Sequence, residues 1–237
     1  MTPIKIIFED DDILVLDKPA GITVNRSNTT THEQTVQDFI EKRYKSFSQK
    51  QNETEDFYLR AGIVHRIDKE TSGILLVAKN IDSFKNLQAQ FKERKVNKVY
   101  IALVHGHVIP NEGEISVPVG RLPWNRERFG VLAGGRQAQT FYKTLLELDL
   151  PFTLLELSPK TGRTHQIRVH LKYINHPIFA DYLYGGRKTA RDDRKILQRV
   201  FLHASKISFF HPKTNKEISF TSPLPYELTQ TIERLKH

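Results

Sequence analysis

The chain has 237 residues, of which 38% are hydrophobic and 27% are charged, enough for the core of an ordinary globular protein. It contains no cysteine, which excludes disulfides, thiolate nucleophiles and cysteine-based metal sites, and no apolar run approaches the roughly 20 residues of a membrane span. Lysine and arginine outnumber aspartate and glutamate by 36 to 27, and the net charge of +9 favours a polyanionic partner, although a generally basic proteome would produce the same balance.

The N-terminal part of the chain predicts a pair of strands followed by a helix. Short β-rich runs at residues 4–8 and 13–16 flank an acidic turn and are typical of paired strands. Thr31 and Gln34 have the spacing of a capping box. After them, apolar side chains recur over residues 36–47 at the interval of one helical face, so we expect a helix there.

The rest of the chain is richer in strands than in helices. The polar stretch Ser46–Asp56 predicts a loop, and the apolar run Gly73–Ala78 predicts a strand buried on both faces. Phe84, Leu87 and Phe91 lie on one face of a second helix. Further strands are expected at 99–104, 113–120, 138–146, 152–157, 206–210 and 217–220, and further helices at 164–174 and 226–235. Strands that mostly follow one another predict an α+β fold with a mixed or antiparallel sheet, and the absence of repeats and linkers predicts one domain, 1–237.

The segment Arg121–Arg136 predicts a long loop, and long loops in compact domains are often functional. It contains Trp124 and four arginines. Basic and aromatic residues also interleave at 94–100, a mixture that suits RNA, because phosphates take the charge and unstacked bases take the rings. For Tyr100, packing within a strand is the alternative interpretation.

Two motifs are candidates for chemistry. The first, VHRIDKETSGILLVAKN, places Asp68 between Arg66 and Lys69 just before a buried strand, so Asp68 belongs either to a charged turn or to a catalytic site. The second, TGRTHQIRVH, places Arg168 among apolar residues. If Arg168 is buried it requires a carboxylate partner, and if the helix starts at Thr164 these two residues share a face, while a solvated basic helix is the alternative.

Metal and cofactor sites have little support in the sequence. His165 and His170 are five residues apart, which turns them about 140° from each other on a helix instead of onto one face. No phosphate-binding loop, dinucleotide-binding glycine motif or serine-nucleophile elbow is present. We therefore expect no metal and no cofactor.

Five segments in order resemble the motifs of the RluA-type pseudouridine synthases, and residues 64–73 are the most specific of them. The segments are Lys18–Gly21, Val64–Gly73, Lys98–Gly106, Thr161–Leu171 continued by Pro177, Asp181, Tyr184 and Gly185, and Leu202–Ala204 with His211 and Pro212. The sequence departs from the family pattern at Asn25 and Arg26, at Ile67, where leucine is usual, and at Ala180, where glycine is common, but at no charged catalytic position.

The resemblance implies the pseudouridine synthase fold, a mixed and largely antiparallel sheet flanked by helices and loops around a central cleft. It implies isomerisation of uridine to pseudouridine in RNA with base flipping and without a cofactor. Many relatives carry an N-terminal S4-type RNA-binding domain, but only 17 residues precede Lys18, so a stand-alone catalytic domain is expected.

The resemblance also implies roles for individual residues. Asp68 would be the essential carboxylate, acting as nucleophile or as base, and Arg168 would pair with it. Tyr100 would stack on the target uracil. The other implied contacts are Arg66 filling the space left by the flipped nucleotide, Leu202 forming an apolar wall of the pocket, and Arg163 contacting phosphate.

The implied partner is ribosomal or transfer RNA. With no membrane span, and with acidic residues where a signal peptide would have its apolar stretch, we expect a cytoplasmic protein. A monomer without an obligatory protein partner is the simplest expectation. A catalytically silent RNA-binding protein on the same fold, and a metal-independent hydrolase with an aspartate nucleophile, are the alternatives.

Overall fold

The structure is a computed structural model that describes residues 3–26, 33–44, 47 and 56–236. The chain divides into two compact units. The first comprises Met1–Val96 and Lys206–Ser222, and the second comprises Asn97–Ser205 and Pro223–His237. The expected single domain over residues 1–237 stays a prediction.

Strands mostly follow one another along the chain, with β4 to β9 in direct succession, and this order fits the α+β prediction. The strands are β1 (Lys5–Glu9), β2 (Ile13–Lys18), β3 (Ser72–Ala78), β4 (Asn97–His105), β5 (Glu112–Ser116), β6 (Val119–Leu122), β7 (Asn125–Val131), β8 (Gln139–Glu147), β9 (Phe152–Pro159), β10 (Leu202–Phe210) and β11 (Glu217–Thr221). The helices are α1 (Val36–Arg43), α2 (Asp56–Leu59), α3 (Ile81–Lys92), α4 (Gln166–Tyr173), α5 (Arg187–Asp193) and α6 (Tyr226–Leu235).

The first unit is built around strand β3. All seven residues of β3 are buried, as its apolar run predicts, and β2 pairs with it antiparallel from Ile13 opposite Ala78 to Lys18 opposite Gly73. Strand β1 extends this ladder from β2, and β11 pairs antiparallel with residues 206–210 of β10. The predicted early strand pair and the predicted hairpin around His211 are both confirmed.

Helix α1 begins one turn later than its predicted cap. Thr35 is the N-cap, and it forms a capping box in which its side chain and backbone exchange hydrogen bonds with Asp38. The predicted cap residue Thr31 lies outside the described residues, as does most of the predicted loop Ser46–Asp56. The apolar pattern therefore predicted the start of the helix at residue 36, whereas the predicted cap and the predicted extension towards residue 47 differ from the structure.

The second unit is built on an antiparallel sheet in the order β4-β9-β8-β5. Its core includes Leu103 and Leu155 on adjacent strands, Leu171 on α4 and Leu228 on α6. Helix α6 has the predicted bounds. In the part of the chain that the structure describes, no helix is long and apolar enough to cross a membrane.

The segment Arg121–Arg136 is not the predicted long loop. Residues 119–131 form the hairpin β6–β7, with Leu122 opposite Asn125 and a two-residue turn between them. Phe129 of this hairpin packs against a small core that includes Val169 of α4, and the Arg121 guanidinium lies 5.2 Å from the centre of the Phe129 ring. This burial orders a segment whose arginines and glycines conceal its alternating apolar positions.

Candidate active site

Asp68 lies in a loop immediately before β3 in the first unit. The side chain of Arg66 is exposed, Ile67 is buried, and Asp68 is half-buried. The Thr71 amide donates to the Asp68 carbonyl at 3.1 Å and closes a tight turn. Ile67 thus fixes the loop in the core, while the charged side chain before it points to solvent.

A buried lysine holds the other end of this loop. Lys18 is fully buried, with 0% of its surface exposed. Its Nζ donates to the carbonyl oxygens of Pro19 and Ile22, both at 2.9 Å, and to that of Lys69 at 3.1 Å. Burial of an ammonium group is costly unless its donors find acceptors, and these carbonyls supply them. Because Lys69 follows Asp68 directly, Lys18 ties the N-terminal motif to the loop that carries Asp68.

A Lys18→Met variant should lower the free energy of unfolding by about 2–4 kcal/mol, because three main-chain carbonyls lose a buried donor. Pseudouridine formation should fall as well, since the loop loses one of its supports. Denaturant unfolding measures the first effect, with the exposed Lys5 on β1 as the matched control in Lys5→Met. Equal stability of the two variants would contradict this role of Lys18.

Arg168 is buried in α4 and has a carboxylate partner within the second unit. Its Nε and Nη2 donate to the two oxygens of Asp181 at 2.7 and 2.8 Å, and the Asp181 side chain is fully buried. One oxygen of Asp181 also accepts the amides of Leu183 and Tyr184, and the Arg168 guanidinium lies 5.0 Å from the centre of the Tyr184 ring. The alternative interpretation of this segment as a solvated basic helix is therefore wrong. The pairing of Arg168 with Asp68 stays a prediction.

The turn before α4 is held by Gln166. Its side-chain oxygen accepts from the Thr161 hydroxyl at 2.7 Å and from the Arg163 amide at 3.0 Å. Helix α4 starts at Gln166, and the preceding residue, His165, has the left-handed φ of 55°. The prediction that Thr164 belongs to the helix and shares a face with Arg168 is therefore wrong. The Arg163 side chain is half-buried and its Nε donates to a main-chain carbonyl at 3.2 Å.

The two histidines near α4 make separate hydrogen bonds. His165 Nδ1 lies 2.9 Å from the Tyr184 hydroxyl, which also accepts the Phe129 amide of β7 at 3.0 Å. His170 is fully buried, and its Nε2 lies 3.2 Å from the Val117 carbonyl. A carbonyl only accepts, so Nε2 carries the proton and Nδ1 accepts from the Thr140 hydroxyl at 2.9 Å.

His170 should make the protein less stable in acid. Burial lowers the pKa of His170, and the hydrogen bond to a carbonyl opposes this shift. Below about pH 6.5 the unfolded chain takes up a proton that folded His170 does not, so the contribution is complete above that pH and is lost as pH falls towards the lowered pKa. Urea unfolding should show that the free energy of unfolding decreases less between pH 7.5 and pH 5.5 for His170→Gln than for the wild type. The exposed His107, changed in His107→Gln, is the control, and an equal effect of both substitutions would contradict the prediction.

Tyr100 and Leu202 belong to the second unit. Tyr100 is half-buried on β4 and packs against the core, whereas Leu202 on β10 is buried within it. Lys98, two residues before Tyr100, lies on the same face of β4. Burial of its ammonium group, together with the nearby charge of Lys160, lowers the pKa of Lys98 to about 8. The strand thus carries an aromatic ring and an ammonium group of lowered pKa two residues apart on one face.

Comparison with known families adds the decisive observation. A family model described as RNA pseudouridylate synthase matches residues 12–173, more than half of the chain. This chain belongs to the RNA pseudouridylate synthase family. The match includes the loop of Asp68, strand β4 with Tyr100 and helix α4 with Arg168.

Individual synthases resemble the chain over most of its length or nearly all of it. Ribosomal large subunit pseudouridine synthase D of Nitrosomonas europaea is 40% identical over 241 residues, covering 99% of this chain and 67% of that protein. The protein of the same name from Borreliella burgdorferi is 45% identical over 184 residues, covering 77% of this chain and 55% of that protein. The chain thus spans about two thirds or less of the length of these relatives.

A solved structure has the same fold. Human RNA Pseudouridylate Synthase Domain Containing 1 superposes with a TM-score of 0.72 at 27% identity, covering 94% of this chain and 84% of that one. The α+β synthase fold expected from the sequence is confirmed.

Some supporting residues of this synthase were not assigned a role from the sequence. Lys18 and Asp181 lie in family motifs, but the sequence did not indicate which carbonyls Lys18 would bind or that Asp181 would hold Arg168. The available signals are a lysine at the end of a strand that begins with an apolar run, and an aspartate close in sequence to the buried segment of Arg168. Both signals are common on protein surfaces, so only the folded chain distinguishes these residues.

One cluster among the described residues has metal-ligand chemistry. Asp10, Asp12 and His211 each offer a ligand atom within 4.8 Å of the others. Asp10 already accepts the amides of Asp12 and Ile13 and lies 2.8 Å from His211 Nε2, while Asp12 accepts from the Ser83 hydroxyl. These contacts explain the cluster as a structural link between the β1–β2 turn and the end of β10.

Proposed function

We propose that this chain is an RNA pseudouridine synthase that isomerises specific uridines in ribosomal or transfer RNA. The N1–C1′ glycosidic bond breaks, the uracil turns, C5 bonds to C1′, and C5 loses its proton while N1 gains one, so the product is an isomer of uridine. Nothing is oxidised and no group is donated, so the reaction requires no cofactor. The family match over residues 12–173, which includes an intact Asp68 motif, carries this proposal.

Asp68 is the proposed catalytic carboxylate. Attack on the sugar and abstraction of a proton from it both require an ionised aspartate. Its main chain lies between the buried Ile67 and the Lys69 carbonyl that Lys18 binds, which supports a fixed position of the carboxylate. Small displacements of a reacting group cost rate steeply, so this support has catalytic value.

Arg66 and Tyr100 are the proposed contacts to the target nucleotide and its neighbourhood. The exposed guanidinium of Arg66 is free to enter the RNA stack and occupy the position left by the flipped nucleotide. The half-buried ring of Tyr100 has its base in the core, which suits a rigid stacking surface for uracil.

The remaining proposed contacts lie in the second unit. Arg168 stays the proposed partner of Asp68, supported by the family motif, although Asp181 already binds its Nε and Nη2. Leu202 is the proposed apolar wall of the pocket, and Arg163 the proposed phosphate contact. The hydrogen bond from Arg163 Nε to a main-chain carbonyl orients the guanidinium, which supports this role.

The hairpin β6–β7 is the proposed determinant of RNA choice. Trp124 in its turn is 76% exposed, and Arg121 and Arg126 are exposed beside it. An exposed indole among guanidinium groups suits an unstacked base flanked by phosphates. The packing of Phe129 against the core anchors the hairpin while leaving its turn accessible.

A Trp124→Ala variant should bind RNA several-fold to about 100-fold more weakly, since one base–aromatic stack contributes roughly 1–3 kcal/mol. Its stability should stay within about 0.5 kcal/mol of the wild type because the side chain is exposed. Equilibrium titration with labelled substrate RNA measures the change, and Trp124→Phe, which retains a ring, is the control. Wild-type affinity of the alanine variant would reject this contact.

Incubation of the purified protein with an unmodified ribosomal or transfer RNA transcript tests the proposed function. Nucleoside chromatography with mass detection should find pseudouridine, with no free uracil and no change in RNA mass. Release of uracil or strand cleavage would instead identify a hydrolase. RNA binding without any product, on every RNA tested, would identify the catalytically silent alternative.

We also propose a monomer that acts in the cytoplasm. The lack of cysteine fits a reducing compartment. Light scattering of the purified protein and fractionation of cells that express it test these two statements. A stable dimer or a secreted protein would overturn the corresponding one.

A further inference from the structure

His65, three residues before Asp68, binds strand β3 through its side chain. Its Nε2 accepts the amide of Leu76 at 2.9 Å, and Leu76 is completely buried in the middle of β3. An amide only donates, so Nε2 is unprotonated and the neutral ring carries its proton on Nδ1.

This hydrogen bond takes the place of a rung in a β-ladder. Ile63 forms an antiparallel bridge with Val77, and the Ala78 amide donates to the Gly62 carbonyl at 2.8 Å. The next β3 amide on this edge is that of Leu76, two residues before Ala78. In a regular antiparallel ladder it would donate to the main-chain carbonyl two residues after Gly62. Instead, it donates to the imidazole of His65.

Because a side chain supplies this acceptor, the main chain can end its pairing with β3 after residue 64. The buried amide of Leu76 keeps an acceptor, so no desolvated donor is left behind. The backbone after residue 64 is no longer required for pairing and continues into the loop of Arg66 and Asp68. The His65 ring also lies against Phe91 of α3, with ring centres 5.0 Å apart, which fixes the imidazole on a second side.

We propose that His65 is a positioning residue for catalysis. Its side chain sets the place where the loop leaves β3 and thereby the position of Asp68, three residues further along the chain. This inference rests on the proposed role of Asp68. A side chain with an acceptor at the position of Nε2 should preserve the position of the Asp68 loop. A side chain that does not reach this position should displace the loop, although every reacting group is still present.

Three variants test the proposal. The amide oxygen of glutamine reaches about as far as Nε2, whereas that of asparagine is one carbon shorter and leucine has no acceptor. His65→Asn and His65→Leu should lower kcat by about 10- to 100-fold with KM changed less than about 2-fold, as expected for a misplaced reacting group. His65→Gln should recover most of kcat. Hydrogen exchange of the Leu76 amide should be faster in the asparagine and leucine variants than in the glutamine variant.

Wild-type kcat of His65→Asn, or an equal loss in the glutamine and asparagine variants, would overturn the proposal. If the leucine variant does not fold, the comparison of glutamine with asparagine decides alone. Turnover by a folded Asp68→Asn variant would reject the role of Asp68, whereas the His65 comparison depends on the difference between two variants that both retain Asp68. The two failures are therefore distinguishable.

Discussion

An Asp68→Asn variant should form no detectable pseudouridine while it folds and binds RNA like the wild type. Asparagine has nearly the shape of aspartate but is neither an anionic nucleophile nor a base, so both proposed roles of the carboxylate are lost. We expect a decrease of at least about 10⁴-fold in kcat, the scale seen when an essential reacting group is removed. Because Asp68 is half-buried and lies in a loop, the substitution should cost little stability.

Nucleoside analysis after incubation with substrate RNA measures this loss. Asp82→Asn, which changes an exposed carboxylate on α3, is the control for the loss of one negative charge and should leave kcat unchanged within about 3-fold. Substantial turnover by the folded Asp68→Asn variant would remove Asp68 from the catalytic role.

An Arg168→Met variant should lose both activity and stability. Methionine fills part of the arginine volume but leaves the fully buried carboxylate of Asp181 without the guanidinium that binds both its oxygens. Breaking one side of a buried ion pair costs about 3–5 kcal/mol, a large part of the stability of a typical domain. Denaturant unfolding with RNA-free protein measures the loss.

A double variant separates the two effects. Asp181→Asn in the Arg168→Met background removes the stranded charge and keeps a side-chain oxygen for the amides of Leu183 and Tyr184. The double variant should regain stability relative to Arg168→Met but should stay inactive if Arg168 also serves the reaction. An active double variant would restrict Arg168 to a structural role, and a stable Arg168→Met variant would contradict its importance in the core.

Hydrophobic periodicity was enough to predict much of the fold. Strand β3 and helix α6 carry strong local patterns, a continuous apolar run in one and a helical stripe in the other, and both lie where the sequence placed them. The motif around Asp68 was equally local, because ten consecutive residues resemble one family.

Features that depend on distant contacts could not be predicted in the same way. The β6–β7 hairpin is ordered by packing of Phe129 beside α4, which its own arginine-rich sequence does not indicate. Helix α4 starts at Gln166 because the side-chain oxygen of Gln166 accepts hydrogen bonds from Thr161 and Arg163 in the preceding turn, which helix propensity does not indicate. Likewise, only the folded chain reveals that Asp181 neutralises Arg168 and that Lys18 supports the loop of Asp68.

Pseudouridine mapping across all RNAs of cells that lack this protein is the most direct test of the central claim, that the chain is an RNA pseudouridine synthase dependent on Asp68. Cells without the protein should lose pseudouridine at one or a few positions in ribosomal or transfer RNA. Wild-type protein should restore these positions, and the Asp68→Asn variant, expressed at the same level, should not. An unchanged map, or restoration by the Asp68→Asn variant, would contradict the claim.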